Sequence, residues 1–98
     1  MQIIELVTFR IKPDLREEEF HAAVAETDEW LARQPGFIAR RHGRSSDGSR
    51  VDVCEWETME AAQAAAEKFP KDGACQRFMQ ALDMESISMR HFEIASSV

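Results

Sequence analysis

The sequence predicts a single α+β domain, and three features carry that expectation. Strand-like and helix-like periodicities follow one another in the order strand, helix, strand, strand, broken helix, strand. The pair Asp47-Gly48 joins two extended runs, a hairpin signal, because a tight turn needs residues that tolerate positive φ. At 98 residues the chain holds one hydrophobic core and is too short for two, so residues 1–98 are read as one domain.

The first strand is expected from Ile3 to Ile11, ahead of Lys12-Pro13. Apolar residues fall in both of its alternation classes, which points to a central strand covered on both faces. Asp14 with Glu17 three residues on has the spacing of a capping box, so a helix is expected from Leu15 to Gln34. Its apolar stripe is Phe20, Ala23, Val24, Thr27, Trp30 and Leu31, and Pro35-Gly36 ends it. A hairpin loop of two or four residues then opposes Ala39 to Trp56, Arg40 to Glu55, Arg41 to Cys54 and His42 to Val53. In that register Phe37, Ala39, Cys54 and Trp56 share one face. Ile38, Arg40, His42, Val51, Val53 and Glu55 share the other.

Thr58 is placed to cap the next helix, with Glu57 and Glu60 at its positive end. Five alanines between Glu60 and Lys68 give high helix propensity and a thin side-chain layer, so that helix can approach its neighbours closely. Phe69-Pro70 breaks it. Asp72 can cap a second short piece whose stripe is Cys75, Phe78, Met79 and Leu82. From Glu85 to Ala95 the chain alternates again as a last strand, with Ile87, Met89, His91 and Glu93 in one phase. Segregated helices on an antiparallel four-stranded sheet give the split βαβ, ferredoxin-like plan βαββαβ, with its second helix broken. Two helices cover only one face of such a sheet. The apolar residues of the other, Ile38, Val51 and Val53 among them, call for a symmetric dimer packed sheet against sheet.

Composition narrows the function. A net charge of −6 and 18 acidic residues dilute the basic side chains, so no nucleic-acid partner is expected; the cluster Arg40, Arg41, Arg44 reads as a solvated or ion-paired hairpin. No apolar run approaches the ~20 residues of a membrane span, and the start of the chain reads as a strand, so a cytoplasmic protein without membrane contact is expected. Cys54 and Cys75 would then be free thiols. The three histidines lack zinc-site spacing, and neither a glycine-rich nucleotide loop nor a Gly-x-Ser-x-Gly elbow occurs, so no metal and no cofactor is expected.

Four residues are candidates for chemistry. Trp56, at a strand-to-helix junction, is either a core tryptophan or a platform on which a flat ligand stacks. His91, flanked in phase by Met89 and Glu93, is either a hydrogen-bonded structural histidine or a general base, the catalytic candidate. Cys75 falls in the first turn of the Asp72-capped helix, where free amides lower a thiol's pKa, yet its stripe with Phe78 and Leu82 suggests burial. Cys75 and Phe78 join Trp56 as candidate ligand-binding residues. His42, opposite Val53 in the expected register, belongs to the dimer face.

The chain resembles the antibiotic biosynthesis monooxygenase-like (ABM) group of the dimeric α/β-barrel superfamily over nearly its whole length. The resemblance rests on Phe9-Arg10-Ile11-Lys12-Pro13, Pro35-Gly36-Phe37, the run Asp52 to Ala62, Phe69-Pro70, and Met89-Arg90-His91-Phe92-Glu93. It implies two ferredoxin-like protomers forming a shared barrel, each with a small-molecule pocket between sheet and helices. The activities it implies include cofactor-independent oxygenation, haem degradation and isomerisation. The haem-degrading branch needs an Asn, a Trp and a His near Leu6, Ala65 and Cys75, and none matches. The aromatic-oxygenating members often use Tyr and Asn, which this chain lacks altogether. The expected function is a homodimer binding a small apolar or aromatic molecule as a cofactor-independent monooxygenase; the alternative is a non-catalytic ligand-binding or interaction module.

Overall fold

In the computed structural model, which describes residues 1–98, four strands form one antiparallel sheet: β1 (Ile3–Phe9), β2 (Phe37–Arg44), β3 (Arg50–Trp56) and β4 (Ser88–Glu93). Their order is β2-β3-β1-β4, so the first strand is central, as its doubly apolar pattern requires. The helices α1 (Glu17–Ala32), α2 (Met59–Lys68) and α3 (Gln76–Ala81) pack on one side. This is an α+β ferredoxin-like fold. The helical layer between α2 and α3 is broken by short 3₁₀ turns at Phe69–Lys71 and Gly73–Cys75, where Pro70 removes a donor.

The caps explain which expected boundaries hold. Thr58 Oγ1 accepts from the Ala61 amide at 3.1 Å, and Asp72 accepts from the Ala74 amide at 2.9 Å. Asp14 makes no such cap. The first helix starts two residues later than expected, at Glu17 with Arg16 at the N-cap, because the Glu17 carboxylate is drawn to Arg50 and Arg44 across the sheet edge. Strand β1 stops at Phe9 because the chain then crosses to the end of α3, where Ile11 bridges Leu82 and the Lys12 amide donates to the Ala81 carbonyl. Residues 84–86 form a 3₁₀ turn, which shortens the last strand to Ser88–Glu93. The Pro35-Gly36 turn needs its glycine: φ is +79°, and a Cβ there would sit 2.6 Å from that of Ala61.

The hairpin register differs from expectation by one residue. Its loop holds five residues, Ser45 to Ser49, closed by Ser45 N–H to the Ser49 carbonyl, with Gly48 at φ +90°. Arg40 therefore pairs with Cys54 and His42 with Asp52, and a bulge between Phe37 and Ala39 restores Phe37 to the Trp56 side. A one-residue slip exchanges the two faces of a strand. Arg40 and His42 point toward the helices instead of the outer face, and Ala39 leaves the face assigned to it.

The helix-facing core has two parts. One gathers Trp56, Cys54 and Ile3 under Trp30, Leu31 and the alanines of α2, with Ala62 and Ala65 buried. The other stacks Phe9, Phe20 and Phe78 at centroid distances of 5.7–6.2 Å, two of the three pairs edge-to-face. The outer face carries Ile4, Leu6, Val51 and Val53, all partly exposed, with Ile38 and Phe92 exposed beside them.

Candidate functional site

A cavity of about 190 Å³ opens between the sheet and the helices. Thirteen of its seventeen lining residues are hydrophobic, so its natural occupant is mostly apolar. Every strand and helix contributes. Trp30 comes from α1, Trp56 from β3, Ala66 from α2 and Phe78 from α3, while Phe69 lies on the 3₁₀ turn that breaks the helical layer. The cavity exists because the alanine-rich face of α2 and the Pro70 break leave the helical layer thin there.

Few polar groups interrupt this wall, and the sheet register sets them in order. His91 pairs with Glu5, Glu5 with Cys54, and Cys54 with Arg40, so one rung across all four strands holds an imidazole, a carboxylate, a thiol and a guanidinium on the helix side. The next rung toward the Phe9 end places Asp52 beside His42.

Glu5 is nearly buried and takes a 2.7 Å hydrogen bond from His91 Nε2. Burial raises its carboxyl above the usual carboxylate range, and the His91 bond offsets part of that rise. The Trp56 indole N–H, close to Glu5, closes no hydrogen bond with protein. On the same rung Cys54 is kept as a neutral thiol: burial, reinforced by Asp52, pushes it up to about 12.

Arg40 is the most heavily bonded side chain in the wall. Its Nε and Nη2 donate to the two oxygens of Asp52 at 2.9 and 2.8 Å, and its Nη1 donates to Thr27 at 2.6 Å and Asp28 at 3.0 Å. The planar fork suits a bidentate carboxylate. Burial opposes the charges, but the pairing outweighs it, raising the Arg40 pKa and holding Asp52 below the usual aspartate range, with a further hydrogen bond from His42 Nδ1 at 3.2 Å. The guanidinium also lies 5.4 Å from the Phe78 ring centroid.

No protein-family model and no curated protein matches the sequence. Solved structures do. SnoaB, a cofactor-independent oxygenase from Streptomyces nogalater, superposes with a TM-score of 0.80 at 19% identity, covering 99% of this chain and 96% of that one. A protein from Bordetella bronchiseptica described as an antibiotic biosynthesis monooxygenase gives 0.75 at 21% identity, covering 97% and 98%. A dimeric ferredoxin-like protein of unknown function from Jannaschia gives 0.70 at 16%, covering 96% and 100%. The chain has an ABM-like, ferredoxin-like fold.

Within the ABM-like fold, the structure separates the residues singled out by sequence. Trp56 and Phe78 stand on the cavity wall. His91 does not; it reaches the cavity through Glu5. Cys75 is fully buried away from the wall, and burial pushes its thiol up to about 11, with Asp72 adding to the effect, which is the reverse of activation. His42 lies against Phe9 and Phe20 on the helix side, not on the outer face to which the expected register assigns it. Of the arginine cluster, Arg40 and Arg44 are ion-paired and Arg41 is exposed. Glu5, Arg40 and Asp52 were not recognised as site residues from the sequence. The signal for Glu5 was a lone carboxylate in a central strand with two covered faces. No helix is long and apolar enough to cross a membrane.

Proposed function

We infer that this protein is a homodimeric, cofactor-independent monooxygenase acting on a small aromatic molecule held in the cavity. The observation that carries the reading is a buried carboxylate, Glu5, in a mostly apolar wall, held by His91 alone, whereas the wall's other carboxylate, Asp52, is engaged by Arg40 and His42. A wall of that kind binds a flat apolar molecule and offers one group able to take a proton from it. Glu5 accepts the proton of a ring hydroxyl, leaving an electron-rich anion. Oxygen takes electrons from that anion at a ring carbon: a C–O bond replaces the C–H bond there, one oxygen atom stays in the product as a carbonyl, and the other leaves as water with that carbon's hydrogen and the proton held on Glu5. His91 is a positioning residue in this scheme: it orients Glu5 and keeps its pKa from rising further.

Size limits the substrate. An apolar protein cavity of about 150 Å³ holds benzene, so 190 Å³ accepts one substituted ring, and a second ring must extend toward the mouth. Dimerisation is supported by the apolar outer face and by the dimeric state of the Jannaschia protein. The two free thiols fit a reducing, cytoplasmic setting.

Oxygen uptake with monocyclic and bicyclic quinols tests the reading. The expected result is consumption above the spontaneous rate, lost in Glu5→Gln. Binding without any uptake would establish the non-catalytic module instead.

A further inference from the structure

The rung His91, Glu5, Cys54, Arg40 has a proton acceptor at one end and a cation at the other. Glu5 on β1 and Arg40 on β2 flank β3, so their Cα atoms lie about 9–10 Å apart. A single ring substituted at both ends spans a length of that order. The floor between them is the Cys54 side chain.

Arg40 has one donor to spare. A guanidinium carries five N–H groups. The one on Nε goes to Asp52 and the two on Nη1 are taken by Thr27 and Asp28. Of the two on Nη2, one goes to Asp52 and the other meets no acceptor. The side chain is only 5% exposed, so water reaches it poorly, and it forms part of the cavity wall. A buried N–H without a partner is costly, and a ligand acceptor placed there recovers that cost.

Charge decides which acceptor. Arg40 already faces two carboxylates, Asp52 and Asp28, and Glu5 stands across the rung. An anionic ligand group would add a further negative charge to a cluster whose acids outnumber its cation. A neutral carbonyl oxygen adds none. We propose that Arg40 is a specificity-determining residue that selects neutral hydroxy-carbonyl aromatics, seating the carbonyl oxygen on its free N–H while the hydroxyl of the same ring faces Glu5. This rests on the cavity being the ligand site and Glu5 the acceptor. It also deepens that reading. When the hydroxyl proton passes to Glu5, the electron pair it leaves is conjugated through the ring onto the carbonyl oxygen, next to the guanidinium. The anion is stabilised where its charge arrives.

Four single-ring probes test this on the whole protein by isothermal titration: 4-hydroxybenzaldehyde, 4-ethylphenol, benzaldehyde and 4-hydroxybenzoate. The expected order puts 4-hydroxybenzaldehyde first, about tenfold tighter than 4-ethylphenol or benzaldehyde, the effect of one hydrogen bond to a charged group. The carboxylate 4-hydroxybenzoate should bind weakest. Arg40→Lys keeps a positive charge beside Asp52 but loses the spare donor, and it should bring the ratio of 4-hydroxybenzaldehyde to 4-ethylphenol affinity close to one, whatever the change in either affinity alone. If 4-ethylphenol matches or exceeds the aldehyde in the wild-type protein, the Arg40 proposal is overturned and the cavity reading survives. If none of the four binds, both fall.

Discussion

Toward its turn the β2-β3 hairpin carries polar side chains on the helix side and valines on the outer side, while Phe37, Cys54 and Trp56 keep the other end of the helix side apolar. On the helix side, where a core is expected, stand Arg40, His42, Arg50 and Asp52, each tied by hydrogen bonds or ion pairs. On the outer side, where water is expected, stand Val51 and Val53, with Ile4 and Leu6 beside them on β1 and Ile38 exposed at the bulge. An ordinary one-sided sheet does the reverse. Under the proposed function each face answers to something besides its own protomer's core: a ligand inside, and a second copy of the sheet outside.

The largest effect should come from charging the outer face. Val53→Asp buries an unpaired carboxylate at the proposed interface, which costs several kcal/mol, so the dimer should dissociate or the chain unfold. Light scattering reads the result. A wild-type monomer at micromolar concentration, or a Val53→Asp dimer of unchanged affinity, would break the comparison on its outer side.

Next is the buried pair. Asp52→Ala leaves Arg40 without its main partner and should cost about 3–5 kcal/mol in denaturant unfolding. The pH dependence has a definite sign. Because the folded-state pKa of Asp52 is lowered, its contribution is fully present above the ordinary aspartate value and disappears as pH falls through the folded value. Glu5 acts oppositely. Its folded pKa is raised, so stability declines as pH climbs from the ordinary glutamate value to the folded one, and Glu5→Gln should remove that decline.

A smaller effect separates catalysis from packing on the inner face. Turnover needs ionised Glu5, so the rate should rise with pH to a midpoint above the usual glutamate range. His91→Ala removes a bond that lowers this pKa and should move the midpoint higher. A purely structural role for His91 would lower stability and leave the midpoint in place.

Much of the fold was legible in the sequence because it depends on periodicity and punctuation. Thr58, Asp72, Pro70 and Gly36 act where local chemistry places them. The site was less legible because it depends on parity. The expected loop of two or four residues keeps an even count, whereas the loop of five shifts Arg40 and His42 to the other face. Only the β2 bulge, which no single residue announces, returns Phe37 to the side of Trp56. Glu17 was visible as half of a capping box, but its arginine partners lie 27 and 33 residues further along the chain, beyond the reach of a local motif.

The central claim is that a small aromatic molecule occupies the cavity between Trp30 and Trp56. Both indoles line it, so tryptophan emission reports on occupancy directly. Titration with 1-naphthol should quench that emission saturably in the wild-type protein. Ala66→Phe, which fills the cavity from α2, should abolish the quench while leaving circular dichroism and oligomeric mass unchanged. Saturable quenching that persists undiminished in Ala66→Phe would place the ligand elsewhere and contradict the account.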